Sequence, residues 1–221
     1  MSLNPLLLSA ELALVTTFIL LVTVSPVAYF LTHYRFKGKF LLETFLNLPL
    51  VLPPTVLGFY LLVIMGPEGF LGKSWQRLVN DSLVFSFSGI VMASLIYSLP
   101  FAFQPMKAAF AKIDKKLLES AGILGLSGPS IFFRVVLPNS FSGIVAAAIL
   151  VFVHTIGEFG VILMVGGSIP GKTKVASIAI YEYVEALRYR EAGLMSLTLL
   201  VFCYIVLILL NRFSEKGAYG T

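Results

Sequence analysis

Five stretches of this chain run for about twenty residues or more with little or no charge: 12–31, 44–65, 83–106, 138–165 and 192–210. Nothing constrains the fold more, because about 20 apolar residues is the length at which one helix crosses a hydrocarbon core of about 30 Å. Only the fourth run is interrupted, by His154 and Glu158. Alternation of period two is absent, so barrel strands are not supported, and helices are the remaining way to satisfy backbone groups in lipid. With 58% hydrophobic and 12% charged residues, the chain carries about half the charge of an ordinary soluble domain. That balance excludes intrinsic disorder and a coiled coil. The single cysteine, Cys203, excludes an internal disulfide framework. A further apolar stretch, 175–187, carries Glu182 and Glu185 and is not counted as a span. It reads as an interfacial helix with Ile180, Tyr183, Val184 and Leu187 on one face.

Lysine and arginine in short loops are retained on the cytoplasmic side. Only Glu11 precedes the first run, whereas Arg35, Lys37 and Lys39 follow it, which puts the N-terminus outside and, after five spans, the C-terminus inside. The inner segments then hold Arg35, Lys37, Lys39, Lys107, Lys112, Lys115, Lys116, Arg134, Arg212 and Lys216, ten of the sixteen basic residues. The same bias accounts for the net charge of +5 without nucleic acid as a partner, since the basic residues flank spans and are not interleaved with aromatics on one face. No basic segment precedes the first run and no clean small-residue site follows it, so it reads as a span and not as a cleaved signal. The expected fold is an all-α, multi-pass membrane domain over residues 1–221, with lipid as its solvent.

The inner segment 107–137 is long enough for a helix, a turn and a second short helix. Residues 115–124 are good helix formers, Gly125 permits a positive φ that ends the helix, and Gly128-Pro129 turns the chain. Pro138 falls at the start of the fourth span, where a proline is tolerated. Glu119-Ser120-Ala121 is followed after three residues by Gly125, and after nine more by Val135-Val136-Leu137-Pro138. This pattern resembles the EAA loop of ABC-importer permeases, with Ser120 in place of Ala and Val135 in place of Ile. The resemblance implies an ATPase-coupling loop carried by Glu119, Ser120, Ala121, Gly125, Leu137 and Pro138. Its apolar contact area would come from Leu118, Ile123, Leu124 and Leu126, with Glu119 near the start of the short helix, able to cap it or to pair with a partner arginine.

Further along, the run from Asn47 to Gly58 (Asn-Leu-Pro-Leu-Val-Leu-Pro-Pro-Thr-Val-Leu-Gly), Gly157-Glu158-Phe159-Gly160, and Ile169-Pro170-Gly171-Lys172-Thr173 look like the molybdate branch of these permeases, to which tungstate and sulfate permeases are close. The similarity extends from about residue 11 to residue 211. It implies a type I ABC-importer permease fold in the inner membrane of a prokaryote. It also implies a homodimer of permease subunits, two cytoplasmic ATP-binding subunits and an extracytoplasmic oxyanion-binding protein. No cofactor is implied on this chain itself, ATP and magnesium belonging to the partner ATPase. No residue is expected to be catalytic.

Three features remain to be weighed. Pro49, Pro53 and Pro54 each remove a backbone donor within one apolar run, and the Pro53-Pro54 pair must interrupt regular helix; the break either faces a translocation path or is a kink that fits neighbouring helices. Glu158 costs roughly 2.5 to 3.5 kcal/mol within a span unless paired or hydrated. His154, four residues earlier on the same helical face, offers a shared hydrogen bond, or both reach a water-filled cavity. A carboxylate is a poor direct ligand for an oxyanion, so Glu158 is expected to hold a gate's geometry. A metal site is not supported, since His33 lies near the opposite leaflet and His154 with Glu158 leaves the shell incomplete. Finally, Gly166 to Thr173 satisfies the Gly-x-x-x-x-Gly-Lys-Thr pattern formally, but a P-loop needs a strand before it and cytoplasmic nucleotide around it, and this segment is expected outside. A polytopic membrane enzyme would need a catalytic cluster that two distant histidines do not supply. A secondary transporter would show an inverted repeat and more intramembrane ionisable residues.

Overall fold

The computed structural model describes the backbone of residues 4–218 and the side chains as far as Ile208; the side chains of Arg212 and Lys216, two of the inner charges, lie outside the described residues. Every regular element among them is helical. Helix α1, Asn4–His33, is 30 residues long, about 45 Å at 1.5 Å per residue. The second apolar run is interrupted at its proline pair, as the sequence requires. Residues 44–65 do not form one helix: α2, Lys39–Asn47, passes into a single 3₁₀ turn at Leu48–Leu50, the chain is extended at Pro53, and α3 begins at Pro54 and ends at Met65. The two arms meet at 109°. The proline pair is the cause, since neither ring nitrogen can donate and the residue before a proline is driven out of the helical region. Twelve residues of α3 rise about 18 Å, short of a full crossing.

After α4, Phe70–Val79, the chain enters α5, Phe87–Ala111, which begins later than the third apolar run and continues past it. The inner segment follows as α6, Lys115–Ile123, then α7, Gly128–Ile131, a single π turn at Phe132–Val136, and α8, Leu137–Asn139. The fourth run is also divided, into α9, Phe141–Gly157, and α10, Gly160–Gly166. Helix α11, Ala176–Glu185, and α12, Tyr189–Ala218, complete the chain. Helices α1, α5 and α12 are long and apolar enough to cross a membrane singly. The bent pairs, α2 with α3 and the 128–139 segment with α9, raise the number to five if each counts as one span.

Helices α1, α5 and α9 pack together as the centre of the molecule. At one end Leu31, Phe103, Met106, Phe110, Phe132 and Val136 form a buried cluster; at the other Leu8, Leu12, Ile90, Ile162, Val175 and Ile178 form a second. The start of α1 therefore shares an end of the molecule with α11, and the end of α1 shares the opposite one with the 107–137 segment. Helices α3 and α10, the far arms of the two broken runs, lie against each other. Their approach is close: a Cβ at Gly58 would stand 2.8 Å from Cβ of Met164, and one at Gly160 would stand 3.0 Å from Cβ of Pro54.

Helix α11 covers less than the apolar stretch 175–187. Its buried residues are Ala176, Ile178 and Ala179, which pack toward α1 and α12, whereas Val184 and Leu187 are exposed and Leu187 falls beyond the helix end. Of the face read from the sequence, Ile180 and Tyr183 are half-buried and Val184 is exposed, as an interfacial helix would present them, and the small residues on the other side permit the close packing.

Candidate functional site

Glu158 sits at the division of the fourth run, at the C-cap of α9, with φ −67° and ψ 131°. This extended backbone removes it from the helical face of His154, so of the two alternatives the shared hydrogen bond is not made, while both residues reach one cavity. Each is taken instead by a serine of α5. The Ser94 hydroxyl donates to Oε2 of Glu158 at 2.7 Å, and the Ser98 hydroxyl lies 2.9 Å from Nδ1 of His154 and 3.1 Å from the Thr155 hydroxyl. Ser94 and Ser98 are four apart and fully buried, so one face of α5 meets two successive turns of the broken span. A third serine, Ser177 at the start of α11, donates to the backbone carbonyl of Glu158 at 2.6 Å. The other carboxylate oxygen of Glu158, Oε1, is buried with no hydrogen-bond partner among the described residues.

The imidazole of His154 stacks on Phe101 with centroids 4.0 Å apart and leans on Tyr97 at 4.8 Å. Beside it opens a cavity of about 570 Å³ lined by Pro54, Thr55, Tyr97, His154, Glu158 and Gly160, among others. Pro54, His154 and Glu158 are thus brought to one cavity, at the level where both divided runs break. Pro53 caps the start of α3, and Pro49 is buried in the 3₁₀ turn; neither lines this cavity. Among the described residues no three of His, Cys, Asp and Glu come together as a metal would require. Sequence reasoning passed over Ser94, Ser98 and Ser177. The signal available was the i, i+4 spacing of two serines within an otherwise apolar helix, where hydroxyls seek partners on a neighbouring helix.

The 107–137 segment is built as a short helix on a firm base. Asp114 caps α6, its carboxylate accepting from the Lys116 amide at 2.9 Å. Glu119 therefore does not cap the helix: it lies in the middle of α6 and faces solvent. Gly125 has φ +79°. The Leu126 amide reaches back to the Ala121 carbonyl and the Gly125 amide to that of Gly122, at 3.1 and 3.0 Å, the paired bonds of a left-handed helix stop. Ser120 is exposed and Ala121 buried. Of the four apolar residues expected to supply contact area, Ile123 and Leu124 are 87% and 81% exposed, while Leu118 packs inward on the cluster around Phe110 and Phe132 and Leu126 is half-buried.

The base of this segment is the π turn. Pro138 has no amide to donate, and the Leu137 amide bonds five residues back, to the Phe132 carbonyl; Asn139 uses its side chain to reach the Val135 carbonyl at 2.7 Å. Leu137 packs inward and Pro138 is exposed. Phe132 meets Tyr29 of α1 at 5.3 Å and Phe110 of α5 at 6.4 Å between ring centroids. The π turn is thereby packed on two long helices.

The turn at Gly166 to Thr173 has no strand before it; α10 precedes it and α11 follows. The Thr173 hydroxyl donates to the Gly166 carbonyl at 2.7 Å and accepts from the Ile169 amide, and the amides of Lys172, Thr173 and Lys174 all turn toward the Ile169 carbonyl. These donors are spent within the turn and are not free to cradle a phosphate. Lys174 and Ser168 both bond the carboxylate of Glu182.

A family model described as binding-protein-dependent transport system inner membrane component matches residues 11–217. The chain is 46% identical over 203 residues to the molybdenum transport system permease protein ModB of Azotobacter vinelandii, covering 92% of this chain and 90% of that one. It is 29% identical over 189 residues to the sulfate transport system permease protein CysT of Escherichia coli K12, covering 86% and 68%. Among solved structures, a bacterial ABC transporter involved in the import of the acidic polysaccharide alginate aligns with a TM-score of 0.74 at 17% identity, over 98% of this chain and 80% of that chain. The MetNI methionine ABC transporter in inward-facing conformations aligns at 0.71 and 15% identity, over 97% and 95%. These last two are likenesses of fold.

Proposed function

Because the chain belongs to the family of binding-protein-dependent transport system inner membrane components, we propose that it is the membrane-spanning subunit of an ATP-driven importer of a tetrahedral oxyanion, molybdate first, with tungstate and sulfate as the alternatives. The observation that carries this is the 46% identity, over nearly the whole of both chains, to a molybdenum transport permease. The chain is a transport subunit and does no covalent chemistry; ATP is hydrolysed by a partner. Two copies of the chain, two cytoplasmic ATPases and an extracytoplasmic binding protein complete the importer, in the inner membrane of a prokaryote.

Transport on this reading is alternating access. The residues 119–125 are the element that seats in the ATPase, with Glu119, Ser120 and Gly125 toward the partner and Ala121, Leu137 and the π turn fixing it to α1 and α5. The breaks at Pro53-Pro54 and at Glu158 permit the outer arms, α3 and α10, to move against the long helices without unfolding them, since a chain already out of helical geometry bends at little cost. His154 and Glu158, latched to α5 by Ser98 and Ser94, hold the closed arrangement. The anion itself meets backbone and hydroxyl donors more readily than the Glu158 carboxylate. Uptake of labelled molybdate into cells lacking their own importer tests the reading when this chain is supplied with its ATPase and binding protein. Restored uptake, suppressed by excess tungstate and little affected by sulfate, is the expected result; uptake suppressed only by sulfate would transfer the assignment to that anion.

A further inference from the structure

Helix α11 is bonded to three separate parts of the molecule within two turns. Its first amide, at Ala176, donates to the Ser9 hydroxyl of α1 at 2.8 Å, in a buried position. The next residue, Ser177, donates to the Glu158 carbonyl at the break of the fourth run, at 2.6 Å. Five residues on, Glu182 holds Lys174 and Ser168 at the two sides of the exposed turn, whose tip is Ile169, Pro170, Gly171 and Lys172. The turn is stiffened by the Thr173 bonds described above. A displacement of its tip is therefore carried to α11, whose first turn is bonded to the backbone at the break of the fourth run.

We propose that Ser177 is a positioning residue through which docking of the anion-loaded binding protein on the turn 168–174 is passed to the break at Glu158, and so to the ATPase. The proposal rests on the importer reading given above. Ser177 acts on the main chain of Glu158, not on its carboxylate, so its effect is separate from that of Ser94. What it sets is the position of the junction between α9 and α10 relative to α11, and a state change at that junction is shared by every element packed on it: α5 through Ser94, α3 through Gly160 and Pro54.

The test compares Ser177→Thr with Ser177→Val in the full complex reconstituted in liposomes, the two side chains having the same shape and differing in the hydroxyl alone, with Ser177→Ala beside them as a variant smaller than serine. ATP hydrolysis is measured without and with the molybdate-loaded binding protein. The expected result is basal hydrolysis unchanged in all three, stimulation retained in Ser177→Thr, and stimulation reduced about fivefold in the variants without the hydroxyl, what one hydrogen bond amounts to in an equilibrium. Full stimulation in Ser177→Val or Ser177→Ala overturns the proposal. Loss of assembly or of basal hydrolysis in the variants without the hydroxyl also overturns it, because the serine would then serve the fold only. A complex of the unaltered chain that does not respond to the loaded binding protein overturns the importer reading itself, and the inference with it.

Discussion

At the scale of single residues, Glu158 shows how a spacing rule depends on the backbone beneath it. His154 and Glu158 are four apart, and on a continuous helix they would meet; the turn to ψ 131° at Glu158 sends them to Ser98 and Ser94 instead. The sequence made the importance of the carboxylate legible through its cost in a span. Its partners were not legible, because they depend on the register of α5 against α9, which no local pattern encodes. Glu158→Gln keeps an acceptor for the Ser94 hydroxyl and should retain measurable molybdate uptake. Glu158→Ala leaves that buried hydroxyl without its partner, at about 1–3 kcal/mol, and opens the junction. Uptake should fall severely in a protein that still inserts, and normal uptake by Glu158→Ala would reduce Glu158 to a tolerated polar group.

Glu182 is a second residue with a definite sign. Burial pushes its carboxyl up, but hydrogen bonds from Lys174 and Ser168 and the Lys174 charge together outweigh this and hold it below its ordinary value. A lowered carboxylate stabilises the fold above the ordinary range and loses that contribution as the pH falls through the lowered value. The pair is partly exposed, so its worth is about 0–1 kcal/mol. Thermal unfolding of Glu182→Gln should therefore fall slightly below the native protein at neutral pH, and the gap should close on strong acidification. A gap that widens in acid contradicts the assignment.

At the scale of elements, the segment around α6 was the most legible part of the chain. Gly125 was expected to permit a positive φ, and it stands at +79° in a left-handed helix stop. An added Cβ there meets nothing within 4 Å in this chain, so the cost of a side chain is conformational, about 1–2 kcal/mol, together with whatever the ATPase groove imposes. Gly125→Val should leave the helices inserted and the protein expressed while co-purification with the ATPase, or uptake, is lost. Survival of both would remove 119–125 from the coupling role. The second and fourth apolar runs were less legible. Composition alone reads a long uncharged run as one helix, whereas a proline pair and a Gly-Glu-Phe-Gly junction divide these two. The proline pair announced its break; the junction did not, because nothing in Gly157 to Gly160 forbids helix as a proline does. The close approach of α3 and α10 at Gly58 gives a further expectation. Gly58→Leu should separate the two arms and abolish transport, with ATPase binding at 119–125 intact; normal uptake in that variant would show that the arms need not pack together.

At the scale of the whole molecule, the question is which end faces which compartment. Two buried clusters divide the chain. One joins the end of α1, the end of α5 and the 107–137 segment; the other joins the start of α1, the start of α5, α10 and the start of α11. The positive charge is biased along this division, with Lys73, Arg77, Lys172, Lys174, Arg188 and Arg190 in the segments of the second end. Arg35, Lys37, Lys39, Lys107, Lys112, Lys115, Lys116 and Arg134 all belong to the first end, and Lys39 and Lys107 share the carboxylate of Glu43 there. Retention of lysine and arginine on the cytoplasmic side should then orient the whole body by its first end, and a rigid body with α1, α5 and α9 packed at its centre cannot have one loop inverted alone. Fusions of a reporter active only outside the cytoplasm should thus give signal near Pro67 and near Lys174, and none near Lys115. The decisive position is Lys174: a cytoplasmic signal there would place the turn 166–173 and α6 in the same compartment. It would remove the docking role proposed for that turn and require that the two clusters not lie at opposite faces of the membrane.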